Sequence, residues 1–156
     1  MADYRITLTS AGLELLAKAT AGKQLVFTGV QLGDGDTPDS FQDMTALISP
    51  RKTLPIRSVI HIGAKANIKA VLDYTAITED FQWKEVGLIA SDPDTDRDVL
   101  YCYGNAGSKG DWITSGITAT AKSINLTVLV SESASVTAVI DDKANYAAVD
   151  LSNVES

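Results

Sequence analysis

The sequence predicts an α+β fold in which an N-terminal helix packs on a largely antiparallel sheet of about five to seven strands, followed by an extended C-terminal tail. Three observations lead to this prediction. One segment near the start has apolar residues at helical spacing. Most segments after it have the alternation and the β-branched residues of strands. The last residues show little periodicity of either kind.

The predicted helix near the start has recognisable signals at both ends. Thr9 or Ser10 can cap it by accepting a free backbone N–H. Apolar residues between Leu13 and Ala17 form one stripe, which needs a surface to pack against. Gly22 supplies the left-handed conformation that commonly ends a helix.

The remaining segments predict strands joined by short turns. Two of them flank Gly63-Ala64 and predict a hairpin, and Ser123–Ser131 alternates as a strand with one buried face. For residues 136–140 a helix remains an alternative to a strand. The predicted strands are residues 25–32, 55–62, 65–74, 81–90, 99–103, 123–131 and 136–140, with a second short helix at 41–48.

Length and composition indicate one domain followed by a linker. The 156 residues are 45% apolar, which is enough to build a core without metals or disulfides. We assign residues 1–140 to the domain and residues 141–156 to the linker, because the latter contain few large apolar groups. The single cysteine, Cys102, excludes an intrachain disulfide.

Charge and targeting signals limit the partners. The formal net charge is −7, from 20 acidic and 13 basic residues, so phosphate backbones repel the chain and nucleic acid is not expected as a partner. The first residues lack the basic start and apolar run of a signal peptide. No stretch approaches the roughly 18 consecutive apolar residues of a membrane span. We therefore expect a soluble protein made in a cytoplasm, without a membrane partner.

No catalytic, cofactor-binding or metal-binding residues are predicted. His61 lies between two isoleucines of a predicted strand, and Cys102 lies between two tyrosines of another. Both are interpreted as structural, because a hydrolytic triad and a zinc site need more partners than these residues supply. Asp92–Asp98 has the carboxylate spacing of a calcium loop but lacks its glycine and its glutamate. A solvated loop is the preferred interpretation, and cation binding there stays open.

Three functional alternatives to a structural role have candidate residues in the sequence. A nucleotide site at Gly33-Asp34-Gly35 is disfavoured, because its aspartate would repel phosphate. A glycan hydrolase would need two carboxylates about 5–10 Å apart across a cleft. Asp34 and Glu85 are the candidate pair, but the sequence gives no sign of a cleft. A carbohydrate-binding module would instead stack sugars on aromatic rings. Its candidates are Trp83, Tyr101, Tyr103 and Trp112.

Five short motifs follow one another along most of the chain. They are Ile6-Thr-Leu-Thr-Ser-Ala-Gly-Leu with Leu16-Ala-Lys-Ala, Gly33-Asp34-Gly35, Trp83-Lys-Glu-Val-Gly-Leu-Ile-Ala90, Val99-Leu-Tyr-Cys-Tyr-Gly-Asn-Ala-Gly107 and Asp150-Leu-Ser-Asn-Val154. Together they resemble the pattern of the phage tail-collar fibre proteins, whose shared domain begins many tail fibres of contractile-tailed phages. The last motif is similar to one found where a fibre head gives way to its shaft.

The resemblance implies a role. The domain would anchor a fibre, usually a homotrimer, to the baseplate or tail protein of a phage, a prophage remnant or a phage-tail-like bacteriocin. It would belong to the virion tail, be assembled in the bacterial cytoplasm, and continue into a shaft and a receptor-binding region for host adhesion. The family has no catalytic residues to carry over. We therefore predict a structural virion component and not an enzyme, with a carbohydrate-binding module for bacterial surface glycans as the alternative.

Overall fold

The computed structural model describes residues 6–115, 121–132 and 135–138. Within these ranges the chain forms eleven β-strands and one α-helix, together with two single-turn 3-10 helices. The strands and the helix are β1 Ile6–Leu8, α1 Ser10–Thr20, β2 Gln24–Gly33, β3 Pro50–Leu54, β4 Ile56–Ile62, β5 Lys65–Asp73, β6 Phe81–Trp83, β7 Glu85–Ser91, β8 Asp98–Asn105, β9 Asp111–Ile113, β10 Ala121–Leu129 and β11 Ser135–Ala138.

Helix α1 begins and ends where the sequence predicts. The Thr9 side chain caps it by accepting the Gly12 backbone N–H at 2.9 Å. At its other end Gly22 takes a φ of +108°, in the left-handed region. The buried stripe differs from the predicted one, because Leu15 and Ala19 carry it and enter the main core.

The large sheet contains six strands. Its order is β1-β8-β7-β2-β11, and β3 also pairs with β2. β3 pairs with Val30–Gly33 of β2, and β11 pairs with Gln24–Phe27 of β2. Both strands therefore lie along the same edge of β2, one after the other. Every pair in this sheet is antiparallel except β11 with β2. The prediction of largely antiparallel pairing is confirmed.

A second sheet consists of the antiparallel strands β10-β5-β4, and β6 and β9 form a separate pair. The β4–β5 hairpin turns at Gly63-Ala64, as predicted, with Gly63 in the left-handed region at φ +59°. In β10, Ile124, Leu126 and Val128 are buried while the residues between them are exposed. The predicted one-sided strand is therefore confirmed.

The main hydrophobic core contains side chains from both larger sheets, such as Phe27 of β2, Ile68 of β5 and Leu126 of β10. The Phe27 and Tyr101 rings meet edge to face, with centroids 5.2 Å apart. The Tyr101 hydroxyl donates a 2.8 Å hydrogen bond to the Leu129 carbonyl, which joins β8 to β10. Apolar packing and this hydrogen bond hold the two sheets together.

The predicted α+β class is wrong, because the described chain is a β-rich fold. One helix of 11 residues is about 16 Å long and about 10 Å wide, whereas the large sheet is five strands wide and spans about 19 Å across its strands, because β3 and β11 share one edge of β2. A single helix of this width does not form a layer over the large sheet, and the strands β4, β5 and β10 contribute most of the opposing core. The six strands of the large sheet agree with the predicted five to seven, but the described residues form eleven strands in three sheets, where the prediction had one sheet.

Two local predictions are wrong as well. Residues 41–48 form turns and bends and not a second helix, although apolar side chains in this stretch pack on Leu100 and Tyr103. The predicted strand 81–90 is two strands, β6 and β7, which separate at Lys84 and enter different sheets. The periodicity of this stretch gave no sign of the division, because both strands are largely buried.

Residues 34–49, here called the β2–β3 segment, have no regular secondary structure. Leu47 of this segment forms a small second core with Leu100 and Tyr103 of β8. Phe41 packs edge to face on Tyr103, with ring centroids 5.3 Å apart. The β2–β3 segment is therefore packed against the large sheet.

No helix in the described part of the chain is both long and apolar enough to cross a bilayer. Residues 135–138 are a strand, which favours the strand prediction for this stretch. The predicted linker 141–156 lies outside the described residues, as does the last of the five motifs.

Candidate functional site

Glu85, the first residue of β7, is the only fully buried charged side chain among the described residues. Its Oε1 accepts backbone N–H bonds from Gly35 and Ser49, each 2.9 Å long. Its Oε2 accepts the Ile48 N–H at 2.7 Å and the Tyr103 hydroxyl at 2.5 Å. No ion pair found in the described ranges includes Glu85. Four donors thus take the place of water around this carboxylate.

Three of these donors belong to the backbone of the β2–β3 segment. They come from both of its ends, so a single carboxylate fastens the start and the finish of the segment to β7. A Cβ atom at Gly33 or at Gly35 would lie 2.6 Å from Oε1 of Glu85. The two glycines therefore serve close approach to a buried carboxylate, and not the binding of a phosphate.

Asn105, at the end of β8, extends this network. Its Nδ2 donates to the Gly35 carbonyl at 3.1 Å and to the Tyr103 hydroxyl oxygen at 3.0 Å. Its Oδ1 accepts the Gly107 N–H at 2.7 Å and the Thr37 hydroxyl at 3.2 Å. The side chain joins the β2–β3 segment to the turn after β8. We call Glu85, Tyr103 and Asn105 the buried network.

Burial governs the ionisation of the groups on β8. Desolvation raises the pKa of the Tyr103 phenol, and its hydrogen bond to Glu85 raises it further. The phenol therefore remains a donor to the carboxylate throughout the physiological range. Desolvation also raises the pKa of the Cys102 thiol, which leaves it protonated and unsuited to nucleophilic chemistry.

The solvent side of the β2–β3 segment is acidic and lies beside basic residues. Asp34 is 3.6 Å from the Arg51 guanidinium, and Lys84 donates to Asp36 at 2.9 Å. The hydrogen bond from Lys84 lowers the pKa of Asp36. Such partly exposed pairs contribute little to stability, but they keep the aspartate side chains close to β3 and to the residue between β6 and β7.

Asp34 and Glu85, the candidate pair for glycan hydrolysis, are not arranged for acid–base catalysis. Glu85 has no solvent access, and donors occupy both of its oxygens. Asp34 lies beside Arg51. A general acid or base must come within hydrogen-bonding distance of the substrate, which the position of Glu85 prevents.

His61 lies at the end of β4, beside the hairpin turn. Its Nε2 is 2.9 Å from the Gly63 carbonyl oxygen and 3.0 Å from the Ser131 carbonyl oxygen. Two carbonyl acceptors require a hydrogen on Nε2. His61 thus links the β4–β5 turn to the chain that follows β10, in keeping with a structural position.

The acidic loop Asp92–Asp98 joins β7 to β8 and forms ion pairs with residues of α1 and the turn after it. Lys18 is 2.9 Å from both Asp92 and Asp94, and Lys23 is 3.3 Å from Asp94. The Asp94 N–H and then Lys18 lower the pKa of Asp92, while Lys18 and then Lys23 lower that of Asp94. Among the described residues, no three His, Cys, Asp or Glu side chains are grouped to hold a metal.

The four aromatic candidates do not form one sugar-binding platform. Tyr101, Tyr103 and Trp83 are buried, and the Lys122 ammonium lies 5.6 Å from the centroid of the Trp83 ring. Trp112 alone of the four is exposed, with 65% of its surface accessible. The carbohydrate-binding alternative therefore depends on one side chain.

Sequence reasoning identified several of these residues but missed the buried network. Glu85 was a candidate acid, Tyr103 a candidate sugar platform, and Gly33 with Gly35 a candidate phosphate loop. The structure brings them into one hydrogen-bonded cluster instead. A usable signal is the position of Glu85 directly before an apolar run, since a charge at the start of a buried strand needs local donors.

The described chain is a β-rich structural module in which three of the quoted motifs meet at the buried network, and the candidate catalytic residues do not converge on a reaction centre. The family model of the phage tail-collar fibre protein, N-terminal, matches residues 1–150. The chain therefore belongs to the phage tail-collar fibre protein family, and the family predicted from the motifs is confirmed. It is a structural component of a phage tail. No curated protein and no solved structure matches the chain.

Proposed function

We propose that this domain anchors a tail fibre to the tail baseplate. Family membership over residues 1–150 carries the proposal, because the matching family is the N-terminal part of a fibre. In a fibre whose far end meets the host, the N-terminal part is the end available to the particle. The role requires protein–protein contact and no turnover, so the domain is not an enzyme.

The physical character of the domain suits a joint under mechanical load. Six strands share one continuous hydrogen-bond ladder, so a pulling force is distributed over many bonds. The buried network adds side-chain hydrogen bonds to those of the sheet. It holds the β2–β3 segment, which lacks a ladder of its own, against the large sheet.

The remaining parts of the proposal come from the resemblance. Residues 1–140 form the attachment domain, and residues 141–156 lead toward a fibre shaft and a receptor-binding region. The fibre is a homotrimer in the virion tail of a contractile-tailed phage, a prophage remnant or a phage-tail-like bacteriocin, and it is assembled in the bacterial cytoplasm. Host adhesion belongs to the receptor-binding region and not to this domain.

A binding experiment with tail particles tests the proposal. Tails assembled without this fibre chain are mixed with the labelled protein, pelleted, and assayed for bound label, and the position of the label is found by electron microscopy. We expect saturable binding at the baseplate end, with a whole number of copies per attachment point. Tails that already carry the fibre serve as the control and should bind little.

Label distributed along the tail tube, or no binding at any concentration, would overturn the anchoring role. The carbohydrate alternative makes a separate prediction. It requires a change in Trp112 fluorescence with a bacterial surface glycan and loss of that change in Trp112→Ala, because Trp112 is its exposed aromatic residue.

A further inference from the structure

The β10-β5-β4 sheet has one face turned away from the main core. In β5 and β10 the buried residues alternate with exposed or half-buried ones, and the pairing registers extend three rows of the latter to Ser58, Ile60 and Ile62 of β4. Asp73, Ala121 and Ser123 lie beyond these three rows. We call this surface the outer face. Its rows are Ile62, Lys65 and Leu129, then Ile60, Asn67 and Thr127, then Ser58, Lys69 and Asn125.

Three large apolar side chains share one end of the outer face. Ile62 is 73% exposed, Ile60 is 56% exposed and Leu129 is 50% exposed. Ile60 and Ile62 are two residues apart on one strand, about 7 Å, and Leu129 lies two strands away, about 10 Å. The Lys65 side chain stands between Ile62 and Leu129. Single exposed apolar residues are ordinary, but here Ile60 and Ile62 are direct neighbours, and the methylene stem of Lys65 connects Ile62 to Leu129. An exposed group of this kind indicates a contact surface.

The charge of the outer face is opposite to that of the chain. Its two ionisable residues are Lys65 and Lys69, and none of its nine residues is acidic. The whole chain carries a net charge of −7. A surface that combines lysines with apolar groups is complementary to an acidic surface. The rest of this chain, taken together, carries a negative net charge.

We propose that a second copy of this chain docks on the outer face through an acidic part of its own surface. Two copies with the same net charge repel each other, and contact through the outer face places the positive part of one against the negative remainder of the other. Contact between two different patches is the kind that closes into a ring of identical subunits. The inference rests on the proposed homotrimer and names the surface through which its copies meet.

Self-association of the whole chain tests this inference. Mass is measured by light scattering after size exclusion, over a range of protein and salt concentrations, for the wild type, Ile62→Asp and Leu13→Asp. Leu13 is 43% exposed on α1 and gives the matched control, since the same change is made outside the outer face. Each variant must keep the wild-type circular dichroism, which the exposure of both positions favours.

We expect Ile62→Asp to weaken association about tenfold or more and Leu13→Asp to leave it unchanged, because a charge in an apolar contact opposes burial. The double change Lys65→Glu with Lys69→Glu should weaken association at low salt, and this difference should shrink at high salt as charges are screened.

Three results would overturn the inference. The first is a wild type that stays monomeric at every concentration. The second is an Ile62→Asp variant that associates like the wild type, and the third is an equal loss of association in both aspartate variants. The tail-binding assay separates this failure from failure of the anchoring role. If Ile62→Asp loses binding to tails without any change in mass, the outer face contacts the tail and not a second copy.

Discussion

Replacing Glu85 with glutamine tests whether a buried carboxylate holds the β2–β3 segment in place. Glutamine keeps the shape but turns one oxygen into an amide NH₂ group. The remaining oxygen can still accept from Gly35 and Ser49, which places the NH₂ group against the Ile48 N–H and the Tyr103 hydroxyl. Ile48 then loses its acceptor, and Tyr103 can no longer donate to this side chain.

We expect Glu85→Gln to lower the free energy of unfolding by about 2–4 kcal/mol. A hydrogen bond to a charged group contributes about 1.5–3 kcal/mol, and a buried donor without an acceptor costs about 1–3 kcal/mol. Two donors are affected, but the neutral amide has a smaller desolvation cost than the carboxylate, which offsets part of the loss. Tyr103→Phe removes one donor and leaves three backbone donors satisfied, so it should cost less, about 1–2 kcal/mol.

Urea unfolding at neutral pH with linear extrapolation measures these differences. Glu79→Gln is the matched control, because Glu79 is exposed, and its effect should stay within about 0.5 kcal/mol. Amide hydrogen exchange adds a local test. The Ile48 amide should exchange faster in Glu85→Gln, while those of Gly35 and Ser49 change less. Wild-type stability together with unchanged exchange at Ile48 would refute the role given to the charged acceptor.

Three further predictions concern other parts of the chain. Gly12→Ala places a Cβ 2.0 Å from the Tyr101 carbonyl oxygen, so it should destabilise the protein by about 1–3 kcal/mol in urea, and a stabilising effect would contradict the packing of α1 on β8. The pKa of Asp92 is lowered from 3.8, so its contribution is present above that value and is lost as pH falls through the lower folded pKa. Asp92→Asn should therefore unfold at a lower urea concentration than the wild type at pH 7, and the two unfolding midpoints should become equal in strong acid. A difference in midpoint that persists in strong acid would count against the ion pair. Trp112→Phe should remove most of the fluorescence that acrylamide quenches, because Trp83 is buried, and an unchanged quenched fraction would place Trp112 inside the protein.

The elements that the sequence predicted well are those with local signals. The cap at Thr9 and the left-handed glycines at Gly22 and Gly63 depend on residues a few positions apart, so a short window contains the cause. The alternation of β10 is equally local, because its two faces meet core and solvent along the whole strand. The structure confirms each of these local predictions.

The features that the sequence did not predict depend on distant partners. Residues 81–90 divide at Lys84 because its backbone N–H bonds to the Gly33 carbonyl and its carbonyl accepts from Ala106. Residues 41–48 have a helical pattern of apolar groups, but the backbone N–H groups of Ile48 and of the next residue, Ser49, donate to Glu85, whose position only the fold reveals. The α+β prediction failed for the same reason, because only the fold shows that the strands β4, β5 and β10, more than α1, supply the core opposite the large sheet.

The motifs that identify the family and the surface proposed for association are different parts of the chain. The described motifs supply Gly35, Glu85, Tyr103 and Asn105, whose hydrogen bonds are made inside the protein. Every residue of the outer face lies outside the quoted motifs. Changes in the buried network should therefore lower stability while the folded protein keeps its mass, whereas changes on the outer face should alter mass at constant stability. An outer-face variant such as Ile62→Asp that lost both stability and association would show that folding and association are coupled. In that case the motifs would affect the assembly of copies as well as the stability of the fold.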